Sequence, residues 1–335
     1  MNKIIVITGV SGMDGSILSE KYLEDSKNIV VGIDVWNATG QYPNLKKIIN
    51  NDRFVFITGD ITEKLFIQDI IKKYRPDYFY NFAAISLVPE SFKIPQRVFE
   101  INAVAVLNML EMIKTHSPKT KFYQASTSEQ LGDYLKTPQN TESPMFPNSP
   151  YAIAKLASFH LVRCYRNAFG LFAVNGMLWN HEGPRRGPTF VTRKITLHIA
   201  SQVKGNKEPL QIGNMDAIRD WGLADDYVDA QIMMMEHDEP DDWAVNTEEA
   251  HSVREFIEEA YKYISKEIIW KGEGSNEKGY DEKGNLLVEV NPEFYRPVEV
   301  PYLKGDSSKI REKLGWVPKV KFKELVKLMM EHELK

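Results

Sequence analysis

The residues best suited to chemistry lie in two short stretches near the middle of the chain. Residues 126–129 read Ser-Thr-Ser-Glu, and Tyr151 and Lys155 stand four positions apart. On a helix these two side chains share one face. A nearby lysine cation lowers the pKa of a tyrosine, so the pair can remove a proton from a sugar hydroxyl while hydride leaves the same carbon. Glu129 adds a second proton-transfer group.

The same residue types also occur where no chemistry is done. A tyrosine and a lysine at this spacing often decorate a helix surface, and Ser/Thr clusters after strands often form turns. Residues 121–125 predict a buried strand that delivers the hydroxyls and the carboxylate to its C-terminal end. The catalytic interpretation then depends on a nucleotide site earlier in the chain.

Composition indicates a globular enzyme of one large or two medium domains. The chain has 335 residues, of which 43% are hydrophobic and 26% charged. A net charge of -4 argues against a nucleic-acid partner. The single cysteine, Cys164, excludes an internal disulfide framework and a multi-cysteine metal site, and we expect no metal. Its apolar surroundings predict a small core residue.

The start of the chain leads directly into a predicted strand and lacks the anatomy of a signal peptide. No apolar run approaches membrane-spanning length. We therefore expect a cytoplasmic protein without a membrane partner.

A glycine-rich loop near the N-terminus predicts a dinucleotide site. Residues 4–7 form a β-branched run typical of a buried parallel strand, and a helical pattern follows the glycines of residues 8–15. This context lets a pyrophosphate approach backbone amides at a helix N-terminus, whereas glycine spacing alone is a weak signal. The predicted cofactor contacts here are Gly9, Ser11, Gly12, Met13, Asp14 and Gly15.

The ends of later strands extend this site. Residues 29–33 predict a second strand closed by Asp34, where an acid can bind the adenosine ribose hydroxyls. An acid there favours NAD, since it would repel the extra phosphate of NADP, although NADP remains possible; the alternative is an aspartate that merely starts a turn. Strands are also predicted over 54–60 and 77–81. Further predicted cofactor contacts are Asp60, Ile61, Phe82, Ala83, Ala84 and Ser86.

The alternation of strands and helices predicts an α/β fold. We expect a doubly wound parallel sheet of Rossmann type, with its ligand across the strand C-termini, and a smaller C-terminal substrate domain. The predicted dinucleotide-binding domain comprises residues 1–175 plus about 223–247. The predicted substrate domain comprises about 176–222 plus 251–335. Helices are predicted over 99–113, with Val104, Leu107 and Leu110 in the core, and over 307–314 and 322–332.

Longer motifs make the chain resemble the GDP-mannose 4,6-dehydratase family of the extended short-chain dehydrogenase/reductases. The superfamily motifs are the glycine loop, residues 81–84 (Asn-Phe-Ala-Ala), residues 126–129, and Tyr151 with Lys155. The narrower signature comprises residues 180–187 (Asn-His-Glu-Gly-Pro-Arg-Arg-Gly), 189–195, 213–216, 219–222 and 295–300. The similarity runs almost from end to end.

The resemblance implies a set of functional residues. The implied catalytic residues are Thr127, Ser128, Glu129, Tyr151 and Lys155, and His181 and Arg186 would join Tyr151 and Lys155 against the cofactor. The implied substrate-binding residues are Ser86, Glu129, Asn180, Val191, Lys194, Arg219, Arg296 and Glu299. Lysine and arginine cations can neutralise a diphosphate, and a carboxylate can accept bonds from a ribose or guanine. Taken singly, such residues would more often be surface ion pairs.

Three departures from the family pattern affect specificity. Residues 34–37 (Asp-Val-Trp-Asn) lack the basic residues that commonly bind the NADP phosphate and support a tetramer. Residues 130–132 read Gln-Leu-Gly where Leu-Tyr-Gly is usual, and Ile85 and Leu87 stand where Gln and His are common. The first change favours NAD over NADP. The other two leave open a sugar other than mannose, with a GDP-heptose as the first alternative.

The resemblance implies conversion of GDP-mannose to GDP-4-keto-6-deoxymannose. Tyr151 would take the O4 proton during C4 oxidation, and Glu129 would remove the C5 proton before water leaves C6. A GDP-sugar partner and a homo-oligomer, either dimer or tetramer, are expected. The alternatives are a GDP-sugar epimerase or C4 oxidase, which need no elimination base such as Glu129, and a cofactor-binding sensor without turnover, against which the intact Thr127, Tyr151 and Lys155 argue.

Overall fold

A computed structural model describes residues 3–132, 134, 136–295, 298 and 300–335. In chain order its strands are β1 (Ile4–Thr8), β2 (Ile29–Asp34), β3 (Phe54–Thr58), β4 (Tyr78–Asn81), β5 (Lys121–Thr127), β6 (Ala173–Leu178), β7 (Asn180–Glu182), β8 (Leu210–Ile212), β9 (Ile218–Leu223), β10 (Asp242–Val245), β11 (Ala250–Ser252), β12 (Ile269–Lys271), β13 (Lys278–Tyr280) and β14 (Leu286–Val290).

The α-helices are, in chain order, α1 (Met13–Glu24), α2 (Lys64–Tyr74), α3 (Val88–Lys93), α4 (Pro95–Phe99), α5 (Ala105–His116), α6 (Pro150–Phe169), α7 (Val191–Val203), α8 (Ala224–Glu236), α9 (Val253–Tyr263), α10 (Ser308–Leu314) and α11 (Phe322–Leu334). A π-helical turn, Glu100–Val104, joins α4 to α5. Gly315 ends α10 in a left-handed conformation, as glycine readily does.

The predicted doubly wound sheet is confirmed. Seven parallel strands lie in the order β10-β6-β5-β4-β1-β2-β3. The strands are almost continuously apolar because hydrophobic clusters cover both faces of the sheet. The chain reverses its direction of winding between β1 and β4. A parallel sheet of this order opens a ligand crevice there, beyond the carboxyl ends of its strands.

The second half of the chain adds two smaller sheets. They have the orders β11-β9-β7 and β12-β13-β14-β8, and helices α7, α9 and α11 pack around them. Their shared core contains the buried aromatic residues Trp221, Phe256 and Phe322. Between these pieces the chain returns to the large sheet through α8 and β10, which pairs with β6. The two small sheets therefore stand over the carboxyl edge of the large one.

Several local predictions are wrong. Cys164 is exposed, because the buried residues of α6 lie on its opposite face, and Val104 is exposed at the end of the π-helical turn. The predicted third strand ends at Thr58, before Asp60. For Cys164 and Val104, apolar neighbours in the sequence indicate an element correctly but not which of its faces meets the core. The end of the third strand is a boundary that the apolar pattern does not mark.

Candidate active site

The carboxyl ends of the parallel strands open into a cleft with a volume of about 710 Å³. One wall comes from the loops after β1, β2, β4 and β5, and the other from β7, α7 and β9. The cleft is lined by the predicted residues Gly9, Ser11, Gly12, Met13, Asp14, Gly15, Asp34, Asp60, Ile61, Phe82, Ala83, Ala84, Ser86, Thr127, Ser128, Glu129, Tyr151, Lys155, Asn180, His181, Arg186, Val191, Lys194 and Arg219. The predicted residues Arg296 and Glu299 lie outside the described part of the chain.

The glycine loop forms a cradle that side chains would fill. Gly9 has a φ of +70°, and a Cβ there would lie 2.7 Å from the amide nitrogen of Ala83. A Cβ on Gly15 would lie 2.6 Å from the carbonyl oxygen of Gly9. Helix α1 follows at once, and its N-cap, Gly12, makes no side-chain hydrogen bond to it. The first helical amides therefore remain available to an anion, as a pyrophosphate requires.

Asp34 is held over this cradle at the end of β2. Its Oδ2 accepts hydrogen bonds from the amide of Ser11 at 2.8 Å and from the Ser11 hydroxyl at 2.6 Å. Its Oδ1 accepts one from the amide of Val35 at 2.9 Å. The carboxylate is thus oriented beside the glycine loop, where the residues present fit the ribose of a dinucleotide.

Asp60 meets a residue that the sequence analysis did not single out. Its carboxylate pairs with the guanidinium of Arg97 at 2.5 Å and accepts bonds from the amide and hydroxyl of Thr62. Asp60 and Arg97 both line the cleft. No local sequence signal links two residues so far apart in the chain, so only the fold brings this pair to the cofactor end.

Tyr151 and Lys155 lie in the first two turns of α6, as their spacing predicts. The N-cap Ser149 accepts a hydrogen bond from the amide of Ala152 at 3.1 Å, which fixes the start of the helix. Both functional side chains are buried. The Nζ of Lys155 donates to the carbonyl oxygen of Ala125 at 2.9 Å.

The pKa of Tyr151 shifts in the direction opposite to the one that the sequence predicts. Burial raises the pKa of Tyr151 to about 12, and a hydrogen bond with the Thr127 side chain opposes this shift. Burial also lowers the pKa of Lys155 to about 8. The expected fall in the tyrosine pKa is therefore wrong for this arrangement, because desolvation of the phenolate outweighs the attractions around it.

Glu129 lies next to this pair. It follows β5 in a short 3-10 turn, Ser128–Leu131, and its amide donates to the hydroxyl of Thr127 at 3.2 Å. Its negative charge adds to burial in raising the pKa of Tyr151, so the carboxylate and the phenol are within electrostatic reach. One wall of the cleft thus carries a phenol, an ammonium group and a carboxylate.

An ion pair between two largely covered side chains joins the two walls of the cleft. The Nε2 of His181 lies 2.9 Å from Oδ2 of Asp14, and its Nδ1 lies 2.9 Å from the carbonyl oxygen of Trp179. Gln231 donates to the same Asp14 oxygen at 3.0 Å. Burial opposes both charges, but their mutual attraction and hydrogen bonds outweigh it, lowering the pKa of Asp14 and raising that of His181. Strand β7 is thereby tied to the first turn of α1.

Two cations of the opposite wall lie on aromatic rings. The guanidinium of Arg186 lies 3.6 Å from the ring centre of Phe190, and its Nε lies 3.0 Å from a carboxylate oxygen of the buried Glu182. The ammonium group of Lys194 lies 3.5 Å from the ring centre of Phe294, and burial lowers its pKa. Both contacts place a positive charge at the cleft against the face of a ring, which attracts it electrostatically.

The sequence analysis missed the two phenylalanines. Phe190 stands four residues after Arg186, a spacing at which a cation and a ring meet on a helix or tight turn, so a local signal existed. Phe294 is one hundred residues from Lys194 and gave none.

Arg219 is almost fully buried at 5% exposure. Its Nη1 donates to the carbonyl oxygens of Ile218 at 2.9 Å and Val300 at 2.7 Å. These bonds fix the guanidinium at the cleft wall and connect β9 to Val300. A cation held in this way can receive an anionic ligand without first losing side-chain freedom.

Comparison with known proteins agrees with this geometry. A family model described as GDP-mannose 4,6 dehydratase matches residues 6–329. The GDP-mannose 4,6 dehydratase of Drosophila melanogaster is 42% identical over 342 residues, which cover 99% of this chain and 86% of that protein. The enzyme of the same name from Vibrio cholerae is 39% identical over 353 residues, covering 100% of this chain and 95% of that protein. The chain belongs to the GDP-mannose 4,6-dehydratase family.

Solved structures place the fold among related sugar-nucleotide enzymes. UDP-glucose 4-epimerase from Thermotoga maritima, solved with UDP-glucose, has a TM-score of 0.81 and 26% identity, covering 99% of this chain and 98% of that one. dTDP-glucose 4,6-dehydratase from Bacillus anthracis, solved with NAD, has a TM-score of 0.81 at 21% identity, covering 98% and 96%. This chain thus shares its fold with both an epimerase and a dehydratase.

The described residues contain no group of three or more His, Cys, Asp or Glu side chains able to hold a metal ion. Within the same residues, no helix is long and apolar enough to cross a membrane.

Proposed function

We propose that this protein is a GDP-mannose 4,6-dehydratase, which converts GDP-mannose to GDP-4-keto-6-deoxymannose with loss of water. The observation that carries the proposal is the placement of Glu129 beside Tyr151 and Lys155 in one cleft. A simple alcohol dehydrogenase needs the tyrosine and the lysine, whereas elimination of water also needs a base for the C5 proton. Membership of the family indicates that the substrate is a GDP-sugar.

The chain holds a nicotinamide dinucleotide, and NAD is the form that the residues favour. Support comes from the glycine cradle and from Asp34, whose carboxylate faces the ribose position without a basic residue at positions 35–37. NADP remains the alternative. When bound, the nicotinamide would supply a reversible hydride acceptor for the oxidation at C4 and the reduction at C6 of the sugar.

The residues of the β5–α6 wall handle the protons. The ammonium group of Lys155 stabilises Tyr151 as a phenolate, and this phenolate accepts the O4 proton and becomes a neutral phenol. Glu129 takes the C5 proton, which the neighbouring 4-keto group has made acidic. The leaving C6 hydroxyl is protonated by a group of the cluster formed by Thr127, Ser128 and Glu129.

The opposite wall binds the GDP portion. Lys194 and Arg219 neutralise the diphosphate, with Asn180 and Val191 beside them and His181 and Arg186 nearer the cofactor. Arg296 and Glu299 belong to the same set by family resemblance. On this basis residues 1–175 and about 223–247 act as the dinucleotide-binding domain, and about 176–222 and 251–335 as the substrate domain.

A related sugar is the second candidate, and the structure provides a reason for it. Ile85 and Leu87, which replace the Gln and His common in the family, both line the cleft. The apolar side chains would give the sugar an apolar contact in place of a polar one. A GDP-heptose is therefore the alternative substrate. The epimerase scaffold keeps C4 epimerisation as a further alternative.

One experiment separates these activities. The purified protein is incubated with GDP-mannose and a small panel of other GDP-sugars, and the products are weighed by mass spectrometry. Loss of one water identifies a 4,6-dehydratase and its preferred sugar. Loss of two hydrogens indicates a C4 oxidase, and an isomer of unchanged mass indicates an epimerase. Absence of any reaction with a cofactor-loaded protein would sink the enzymatic proposal and favour a sensor.

We also propose that the protein is a homo-oligomer of the cytoplasm. Support for the oligomer comes from three large apolar residues exposed along α4 to α6, namely Phe99, Val104 and Ile153. Light scattering at several concentrations tests the oligomer, with a dimer or tetramer expected; a monomer throughout the range contradicts it. The single cysteine supports a reducing compartment, which fractionation of cells tests.

A further inference from the structure

Thr8, Asn81 and Gln124 form a hydrogen-bonded row of buried polar side chains, the polar file. It crosses the large sheet from the glycine loop toward Lys155. The Thr8 hydroxyl donates to Oδ1 of Asn81 at 2.6 Å, and Nδ2 of Asn81 donates to Oε1 of Gln124 at 2.9 Å. The Nε2 of Gln124 then donates to the carbonyl oxygen of Ala125 at 2.9 Å. Thr8 and Gln124 are fully buried, and Asn81 is 1% exposed.

The file ends on the atom that Lys155 uses. The carbonyl oxygen of Ala125 accepts from Nε2 of Gln124 and from Nζ of Lys155, each at 2.9 Å. Strand β5 continues to Thr127, three residues beyond Gln124, the last residue that pairs with β4. Beyond that point β4 offers β5 no further partner, so side chains hold the peptide of Ala125 on this side.

We propose that Gln124, itself held by Asn81 and Thr8, is a positioning residue that fixes the Ala125 carbonyl and, through it, the ammonium group of Lys155. The role rests on the proposed function, since it concerns the lysine of that reaction. Gln124 does not touch the reacting atoms. It sets where the positive charge stands relative to Tyr151.

The direction of the hydrogen bonds strengthens this hold. Each amide in the file accepts at its oxygen and donates from its nitrogen, so each bond polarises the next toward Ala125. A buried amide with both ends bonded has one orientation, because turning it would leave a buried polar atom unpaired. The carbonyl therefore offers Lys155 an acceptor at a fixed place. Displacement of a catalytic group by about 1 Å can cost about 100-fold in rate.

The neighbouring strand supplies a matched control. Asn175 of β6 lies directly opposite Gln124 in the register and is fully buried. Its Nδ2 donates to the carbonyl oxygen of Phe159 at 3.1 Å and to Asp242 at 2.8 Å, and not toward Lys155. Gln124→Met and Asn175→Leu thus each remove a buried amide at the same depth, but only the first breaks the file.

The test has two readouts on the NAD-loaded protein. The first is the rate at which the bound cofactor is reduced after mixing with saturating GDP-mannose, followed across pH. The second needs no substrate: the titration of Lys155, followed by NMR of ¹³C-labelled lysine and assigned with Lys155→Met. In Gln124→Met we expect reduction about 10- to 100-fold slower, GDP-mannose affinity within about twofold, and a Lys155 titration shifted to lower pH. In Asn175→Leu the titration should stay in place.

The contrary results are distinct. A Gln124→Met protein with the parent rate and the parent Lys155 titration overturns the proposal. So does equal slowing of both variants with unmoved titrations, because that is the result of a purely structural amide. If Gln124→Met lacks a cooperative thermal transition, Thr8→Val replaces it, with a smaller shift expected in the same direction; an unmoved titration there also overturns the proposal. If the parent itself never reduces its cofactor with GDP-mannose, the proposed function fails, while the Lys155 titrations still decide the positioning role.

Discussion

The two walls of the cleft are built from different parts of the polypeptide. At the dinucleotide end the important features are backbone ones: the positive φ of Gly9, the open N-terminus of α1 and the ends of parallel strands. At the GDP end they are long cationic side chains held on rings and carbonyls, such as Lys194 on Phe294 and Arg219 on Val300. The proposed dinucleotide end therefore depends on glycines that let a ligand approach the backbone, and the proposed GDP end on long charged side chains.

This difference predicts which substitutions each end of the cleft tolerates without loss of ligand binding. A backbone site tolerates most side chains nearby but not an added atom at the point of closest approach. A side-chain site tolerates backbone variation but binds its ligand more weakly when a single charge is removed. The following predictions test this contrast, from the largest expected effect to the smallest.

Gly9→Ala should abolish cofactor retention and turnover. The added Cβ would meet the backbone of Ala83 at 2.7 Å, which cannot move without displacing the loop after β4. Gly170→Ala is the matched control, since Gly170 has a similar φ of +65° but no atom within 4 Å of a built Cβ. Both variants should lose about 1–2 kcal/mol of stability from backbone strain. Dinucleotide released on denaturation is measured, and a Gly9→Ala protein that still holds NAD would remove the close approach from the account of the site.

Glu129→Gln should separate oxidation from elimination. Tyr151 and Lys155 remain, so C4 of the sugar should still be oxidised and the cofactor reduced. Product formation should fall by about 10²–10⁴, because the amide cannot take the C5 proton. Reduced nicotinamide should therefore accumulate, which absorption spectroscopy detects while mass spectrometry follows the product.

Tyr151→Phe serves as the comparison for Glu129→Gln. This variant should neither reduce its cofactor nor form the dehydrated product. Parent-rate turnover of Glu129→Gln would show that another group is the base. Absence of reduction in Glu129→Gln would mean that the carboxylate acts before elimination.

The pH dependence of cofactor reduction follows from the opposite shifts of Tyr151 and Lys155. Burial raises the pKa of Tyr151 to about 12 and lowers that of Lys155 to about 8. The active form has a phenolate beside an ammonium group. Below pH about 8 the rate should rise about tenfold per unit as phenolate increases; above it the loss of ammonium cancels that gain and the rate should level off. Stopped-flow measurement decides, and a fall with rising pH below 8 contradicts the assignment.

Lys194→Met should weaken GDP binding by about 2 kcal/mol, or about 30-fold, because a charge-assisted contact to the diphosphate is lost. Retained NAD should be unchanged. Lys207→Met, which removes an exposed lysine, is the control. Calorimetric titration with GDP measures both, and Arg219→Ala should behave as Lys194→Met does. Unchanged GDP affinity in Lys194→Met and Arg219→Ala would make the two cations structural.

The smallest effect concerns the choice of dinucleotide. Asp34→Asn removes the charge that repels the extra phosphate of NADP, a repulsion of about 1 kcal/mol or fivefold at this half-buried position. The parent should release NAD on denaturation, and the variant, stripped and reloaded, should bind NADP relatively better. Release of NADP alone from the parent would contradict the preference.

Much of the first wall was predictable because it depends on local pattern. A β-branched strand, a glycine loop and a helix follow one another in the chain, and the position of an acid at the next strand end places it over the same loop. The spacing of Tyr151 and Lys155 is likewise a helical property. In contrast, the face on which Cys164 lies on α6 was mispredicted, because an apolar neighbourhood does not reveal which side of a helix the sheet covers.

The sequence by itself thus determined the parallel sheet, the glycine loop and the shared helical face of Tyr151 and Lys155, since each rests on contacts within a few residues or on strand order. Tertiary structure alone decided the pairing of Asp60 with Arg97, the placing of Lys194 on Phe294, and the file from Thr8 to Lys155. It also decided the sign of the Tyr151 shift. Desolvation depends on every element packed around a group, and no stretch of sequence contains that sum.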